Sequence, residues 1–255
     1  MSVLQASFYR GESFSNLSNT QKLKARLLSW KALAPEVHQL DFEVPGAAEF
    51  KFTPGQFISV AENVDGKEKT RAYSIASPRD GNRFSLCLNR VPDGFVSNKM
   101  FCLKLGDEIV IHEPLGYFTL RHPGRRIVFV CTGTGIAPFR SILHDHLPRT
   151  QPHVNLLFGT RHETGLLYRE EMEQLERDYP SFRYLTTLSR PGDGWQGRSG
   201  RVMAHLDEVI DLRTPDDIYE TDVYICGLKE MVDDVRAELK KRGFDRKQII
   251  YEKYD

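Results

Sequence analysis

The run Arg126-Ile127-Val128-Phe129-Val130-Cys131 ends directly in Thr132-Gly133-Thr134-Gly135-Ile136-Ala137-Pro138. An unbroken apolar strand has no face to give to water, so it must be buried on both sides, as strands of a parallel sheet between helical layers are. The glycines after it allow a sharp turn and close approach to a ligand. A helix starting there offers unpaired N–H groups to an anion such as a phosphate. Pro138 suits the first helical turn, where its missing N–H costs nothing. This strand–turn–helix unit predicts an α/β domain. The spacing is G-x-G-x-x-P rather than the dinucleotide fingerprint G-x-G-x-x-G, so a tight turn without a ligand is the competing reading.

The same alternation continues to the C-terminus. Strands are predicted at Val154–Phe158, Arg183–Leu188 and Val223–Cys226, and helices at Ala137–Leu147, Glu170–Arg177, Met203–Val209 and Lys229–Lys241. Such alternation means βαβ units and a parallel sheet. Residues from about 20 to 121 read differently. Lys22–Leu27, Gln39–Val44, Gln56–Val60, Arg83–Leu88 and Glu108–Ile111 are short strand-like segments separated by Pro/Gly/Asp turns. They suggest an antiparallel barrel or sandwich with little helix. The boundary is placed at His122-Pro123-Gly124, giving domains 1–123 and 124–255, with residues 1–20 as an N-terminal extension.

Composition narrows the functional classes. Of 255 residues, 40% are hydrophobic and 27% charged, which is ordinary for a globular chain. Lys plus Arg and Asp plus Glu both number 35, which removes the electrostatic case for nucleic acid or an anionic membrane as main partner. No apolar run approaches the roughly 20 residues of a membrane helix. The N-terminus lacks the basic start and apolar core of a secretory signal. Cys87, Cys102, Cys131 and Cys226 lie far apart with no C-x-x-C pair, which argues against a disulfide framework, a zinc site or a Cys-ligated cluster. The histidines have no metal spacing; His144 and His146, two apart, fall on different helix faces. No G-x-S-x-G elbow supports a hydrolase. A cytoplasmic two-domain protein without membrane insertion is expected.

A second motif, Arg71-Ala72-Tyr73-Ser74-Ile75-Ala76-Ser77-Pro78, follows a strand of the first half. Arg71 offers a planar fork for phosphate, Tyr73 a ring face for a flat heterocycle, and Ser74 a small donor and acceptor beside it. A half-buried edge strand would account for it equally well. Taken with Gly133-Thr134-Gly135-Ile136-Ala137-Pro138 and a Cys226-Gly227 pair near the C-terminus, it resembles the ferredoxin–NADP reductase family. Pro54-Gly55-Gln56-Phe57, Cys87-Leu88-Asn89-Arg90, Gly94-Phe95-Val96-Ser97 and the ending Tyr251-Glu252-Lys253-Tyr254-Asp255 extend the resemblance from about residue 20 to the end.

The resemblance implies an N-terminal antiparallel β-barrel holding FAD and a C-terminal Rossmann-like domain with a parallel sheet holding NADP(H). It assigns Arg71 to the FAD pyrophosphate, Tyr73 to the isoalloxazine face and Ser74 to the region of flavin N5. Cys87 and Asn89 match strand positions beside the flavin nucleotide, and Gly94, Val96 and Ser97 the turn that takes its phosphate. Thr134 and Gly135 would face the nicotinamide nucleotide, and Cys226 matches the thiol near nicotinamide C4. The plainer reading of Cys226 is a small buried strand-end residue. Ser189-Arg190 matches the pair that takes the 2′-phosphate of NADP; Arg198 adds a second charge, and Thr160-Arg161 are weaker candidates there. A solvated loop arginine is the plain alternative for Arg198. Tyr254 matches a terminal aromatic covering the flavin face that nicotinamide must occupy, and Glu252 a carboxylate supporting charge or proton balance. Asp255 extends the chain by one residue, so the stacking role belongs to Tyr254 or to Tyr251. The alternative is a final edge strand with Tyr251 and Lys253 on one face and Glu252 and Tyr254 on the other.

The implied enzyme carries electrons between NADPH, a hydride donor, and a one-electron carrier, ferredoxin or flavodoxin. The physiological direction is open. Without cluster-binding cysteines in this chain, the carrier is a separate protein, and the enzyme is expected to be a monomer. One rival is the NAD(P)H-dependent reductase component of an oxygenase or another electron chain. A more distant rival is a flavin-free nucleotide-binding regulatory protein.

Overall fold

The computed structural model describes residues 21–64, 66–149, 153–210 and 215–254. The expected extension 1–20 and the terminal Asp255 lie outside these residues. The described chain forms two compact units: residues 21–120 together with Ala137–Asp145, and Arg121–Ile136 together with the chain from His146 onward.

The first unit is built on six antiparallel strands: β1 (Lys22–Ala34), β2 (Val37–Glu43), β3 (Phe57–Val64), β4 (Lys67–Ser74), β5 (Arg83–Asn89) and β6 (Glu108–His112). They are ordered β4-β3-β6-β1-β2-β5. The period-two alternation read at the start of β1 buries Ala25 and Leu27 and turns Lys24 and Arg26 outward. Those cations pair across the strands with Glu108 (2.9 Å) and Glu43 (2.8 Å through Nε). The two outer strands meet where Ile75 bridges Leu86 and the Ala76 N–H donates to the Ser85 carbonyl at 2.8 Å, which closes the sheet into a barrel. Leu27, Phe42, Ile58, Val60, Phe84, Leu86, Ile109 and Ile111 are among the side chains that fill it. The Phe42 and Phe84 rings stack at 5.5 Å. Each such buried side chain contributes about 1.5–3 kcal/mol relative to exposure. A short helix, α1 (Phe95–Phe101), joins β5 to β6.

The Arg71–Ser74 motif does not follow a strand, as expected, but forms the last four residues of β4. The helix α2 (Ile136–His146) lies with the barrel through residues Ala137–Asp145. Arg140 Nη1 donates to the Ala76 carbonyl at 2.8 Å, and Arg79 Nη2 meets Asp145 at 2.7 Å. The Phe118 and Phe139 rings meet at 5.6 Å.

The second unit is a parallel sheet of β7 (Arg126–Thr132), β8 (Val154–Thr160), β9 (Phe182–Leu188), β10 (Arg198–Ser199), β11 (Thr221–Leu228) and β12 (Ile249–Tyr254). Their order is β10-β9-β8-β7-β11-β12. Its helices are α3 (Arg169–Asp178), α4 (Leu206–Val209) and α5 (Lys229–Lys241). α5 buries Val232, Val235 and Leu239, one helical face, against the core of Val128, Val130, Val223 and Ile225. The chain entering this unit is tied to the foot of β11. The fully buried Asp222 sits 2.7 Å from His122 Nδ1 and 3.5 Å from Arg125 Nη1, and the Arg121 N–H donates to the Tyr224 hydroxyl at 2.8 Å.

Candidate active site

In the parallel sheet the chain first moves outward from β7 to β8 and later returns to the other side of β7 as β11. Such a reversal opens a crevice at the carboxyl ends of the two central strands, where open α/β sheets bind ligands. Here those ends are Thr132-Gly133-Thr134-Gly135 and Cys226-Gly227. Gly133 takes a left-handed φ of +54°. A Cβ on Gly135 would lie 2.3 Å from the Cys226 carbonyl oxygen, and one on Gly227 2.4 Å from Thr132 Oγ1. Both glycines therefore let the two strand ends close on each other. Thr132 Oγ1 is buried there without a hydrogen-bond partner among the described residues. In the sequence Thr132 marks only the start of the turn, and nothing local signals its buried hydroxyl.

Cys131, Cys226 and Glu252 stand side by side on β7, β11 and β12, in register and on one face of the sheet. Both thiols are fully buried, and Glu252 nearly so. Burial pushes the Cys226 thiol well up, and Glu252 adds to this, while a hydrogen bond from Tyr254 works the other way. Cys226 is therefore a neutral thiol at physiological pH. Tyr251 faces the opposite side of β12, where it packs on the apolar core beneath α5. Arg236 lies 3.6 Å above its ring, whereas Tyr254 hydrogen-bonds Cys226 on the other face.

At the far corner, β8 and β9 interlock. The Ser189 N–H donates to the Thr160 carbonyl at 2.9 Å and the Arg190 N–H to the Arg161 carbonyl at 2.8 Å. Arg161 and Arg190 are exposed there. Arg198, next door on β10, donates through Nε to Glu208 Oε2 at 2.7 Å.

The barrel carries the second constellation. Arg71, Tyr73 and Ser74 lie in register with Val60, Ile58 and Phe57 on β3. Arg71 is half-buried, and its Nη1 donates to the Thr70 carbonyl at 2.8 Å. Tyr73 packs against the barrel core, and burial pushes its hydroxyl far above the usual tyrosine range. Ser74 is buried. On β5, Cys87 (buried) and Asn89 (exposed) share the face opposite the core residues Leu86 and Leu88.

α1 begins at Gly94 with no side chain capping it. A Cβ at Gly94 would lie 2.5 Å from Ser97 Oγ. The Ser97 hydroxyl is committed to the turn: it accepts from the Val91 N–H and donates to the Gly94 carbonyl, both at 3.2 Å. Val96 is buried under the same turn. Asn98, which sequence reasoning passed over, laces the loop together by donating to the carbonyls of Val91, Pro92 and Gly94 at 2.9–3.0 Å. A guanidinium fork, an aromatic ring and an uncapped turn held open by glycine suit a diphosphate joined to a flat heterocycle. Among the described residues no group of three or more His, Cys, Asp or Glu side chains is placed to hold a metal ion. No described helix is long and apolar enough to cross a membrane.

A barrel with that donor set and a parallel sheet with a glycine-lined switch point define a flavin- and nicotinamide-nucleotide-dependent oxidoreductase. Residues 24–120 match the oxidoreductase FAD-binding domain and residues 129–237 the oxidoreductase NAD-binding domain. Ferredoxin–NADP reductase B of Sorangium cellulosum is 39% identical over 241 residues, 92% of this chain and 98% of that protein. The toluate 1,2-dioxygenase electron transfer component of Pseudomonas putida is 26% identical, over 94% of this chain and 70% of that one. The structure of a ferredoxin–NADP reductase from Neisseria gonorrhoeae with bound FAD and NADP is similar at a TM-score of 0.77 and 25% identity, covering 91% of this chain and 98% of that one. The chain belongs to the ferredoxin–NADP reductase family, whose members bind FAD and NAD(P).

Proposed function

We propose that this chain is an NADPH-dependent reductase exchanging electrons with ferredoxin or flavodoxin. The observation that carries the reading is the switch point, where Cys226, Tyr254 and Glu252 converge beside the two close-packed glycines. Bound FAD supplies the conversion between a two-electron hydride and single electrons.

The chain's own residues bind and orient. Arg71 holds the pyrophosphate of FAD, with the backbone N–H groups of Val96 and Ser97 at the turn made by Gly94. Tyr73 offers its ring to the isoalloxazine, Ser74 a hydroxyl near N5, and Cys87 and Asn89 flank the nucleotide. Thr132, Thr134 and Gly135 receive the nicotinamide half of NADP(H), and Ser189, Arg190, Thr160 and Arg161 its 2′-phosphate. Cys226 presents a neutral thiol to the nicotinamide ring, fixed by the Tyr254 hydroxyl. Tyr254 is the aromatic that nicotinamide displaces, and Glu252 keeps a carboxylate beside the thiol. The proposed enzyme works in the cytoplasm as a monomer.

The similarity to a dioxygenase electron transfer component favours one second reading, a reductase serving an oxygenase. The test is anaerobic reduction of the purified flavoprotein by NADPH, followed by mixing with a ferredoxin, a flavodoxin and a Rieske-type oxygenase. Reduction of ferredoxin or flavodoxin at many times the rate of the oxygenase supports the first reading. The opposite order replaces it with the second.

A further inference from the structure

Three arginines stand where β8, β9 and β10 end: Arg161, Arg190 and Arg198. The first two are exposed and form no ion pair among the described residues. Arg198 is different. Its Nε donates to Glu208 Oε2 at 2.7 Å, and its two Nη groups make no hydrogen bond among the described residues. Glu208 in turn is held from the other side. Its Oε1 lies 2.7 Å from His205 Nδ1, while His205 Nε2 lies 3.0 Å from the Ser199 carbonyl oxygen, on the strand that carries Arg198. The carboxylate is thus built into the corner rather than left to wander, and Arg198 holds its acid in the ionised form.

A carboxylate and a guanidinium make opposite choices at an adenosine ribose: the first accepts from a free 2′-hydroxyl, the second receives a 2′-phosphate. Here both stand together. We propose that Glu208 is a specificity-determining residue that narrows the preference for NADPH over NADH. Its charge offsets that of Arg198 and opposes a 2′-phosphate dianion, and it leaves the uncharged ribose of NADH unpenalised. The inference rests on the reading that this corner receives the adenosine ribose. The size of the effect follows from exposure. Glu208 and Arg198 are each about two-fifths exposed, so their pair is partly screened, and the phosphate competes for Arg198 at a discount of roughly fivefold.

The experiment is calorimetric titration of the FAD-loaded protein with 2′-phospho-AMP and with 5′-AMP, in wild type and Glu208→Gln, accompanied by KM for NADPH and NADH. Glutamine keeps an oxygen for Arg198 and removes the charge. The expected result is binding of 2′-phospho-AMP roughly fivefold tighter, with 5′-AMP little changed, and a matching fall in KM for NADPH alone. Glu208→Ala should move the same ratio in the same direction. An unchanged ratio of the two affinities in both variants, with flavin content and melting temperature as in wild type, would overturn the role of Glu208. Arg190→Ala tests the underlying reading separately: if it leaves 2′-phospho-AMP binding intact, the corner itself is misassigned, whatever Glu208 does.

Discussion

Arg71 illustrates how far a single side chain can be read from its neighbours in sequence. Its type and its place before Tyr-Ser suggest a phosphate contact, and in the structure it is half-buried with Nη1 donating to the Thr70 carbonyl. Replacing it with alanine should weaken FAD retention by about 1.5–3 kcal/mol, the worth of a charge-assisted hydrogen bond, with the fold intact. Equilibrium dialysis of flavin from wild type and Arg71→Ala measures this directly. The terminal aromatics were legible only as a pair, because alternation along a strand puts Tyr251 and Tyr254 on opposite faces without saying which face matters. Arg236, on the preceding helix, lies on the Tyr251 ring, which favours our proposal that Tyr254 is the aromatic at the site. Tyr254→Ser should therefore bind NADP more tightly and turn over more slowly, since nicotinamide no longer has a ring to displace. Tyr251→Ser should bind NADP as wild type does and instead lose about 0.5–2 kcal/mol of stability with its cation–π contact. Titration of the oxidised enzyme with NADP, beside urea melts, separates the two.

At the scale of elements, the helix Lys229–Lys241 was readable to its ends because Val232, Val235 and Leu239 keep helical spacing between charged residues. β7 was readable because its run is apolar throughout. β4 escaped because Lys67-Glu68-Lys69-Thr70 exposes polar residues on both faces of a strand, erasing the alternation that marks the others. β10 escaped because two residues paired only to β9 carry no periodicity. The tether at the foot of β11 was also invisible, since His122 and Asp222 are a hundred positions apart. It makes a prediction of its own. Asp222 is a fully buried carboxylate, but its partners His122 and Arg125 are about half and a third exposed, so losing their charge-assisted contacts costs about 1.5–3 kcal/mol. Asp222→Ala should lower the unfolding free energy of the parallel-sheet unit by that order, seen as a lower urea midpoint, while flavin stays bound. Unfolding followed by far-UV circular dichroism and by flavin fluorescence in parallel reports on both.

At the scale of the whole molecule, the change of strand pattern in the sequence reflects burial, because alternating strands give one face to water and unbroken apolar strands give none. Residues Ala137–Asp145 of α2 group with the barrel although they follow the first parallel strand in sequence. Which residues meet at the strand ends could not be read so directly, for it depends on β11 returning beside β7, a matter of topology rather than of local pattern. That return buries Cys131 and Cys226 together, with both thiols held well above their ordinary range by burial. The sign of the consequence is fixed. An unfolded thiol ionises near pH 8.5 while the folded ones keep their protons, so stability is full below that pH and falls as pH rises above it, by about 1.4 kcal/mol per pH unit for each thiol. Urea midpoints between pH 8 and pH 10 should fall less steeply in Cys131→Ala than in wild type.

The central claim is that hydride leaves NADPH beside Cys226 and enters the flavin of this chain. Stopped-flow reduction of the flavoprotein by NADPH, comparing wild type with Cys226→Ser, tests it most directly. The substitution changes size little and removes the thiol at the proposed point of contact. The account predicts a flavin-reduction rate lower by about tenfold or more, with NADP affinity changed by less than about threefold, because misplacement of the ring is felt mainly in the transition state. A Cys226→Ser enzyme whose flavin is reduced at the wild-type rate would contradict it.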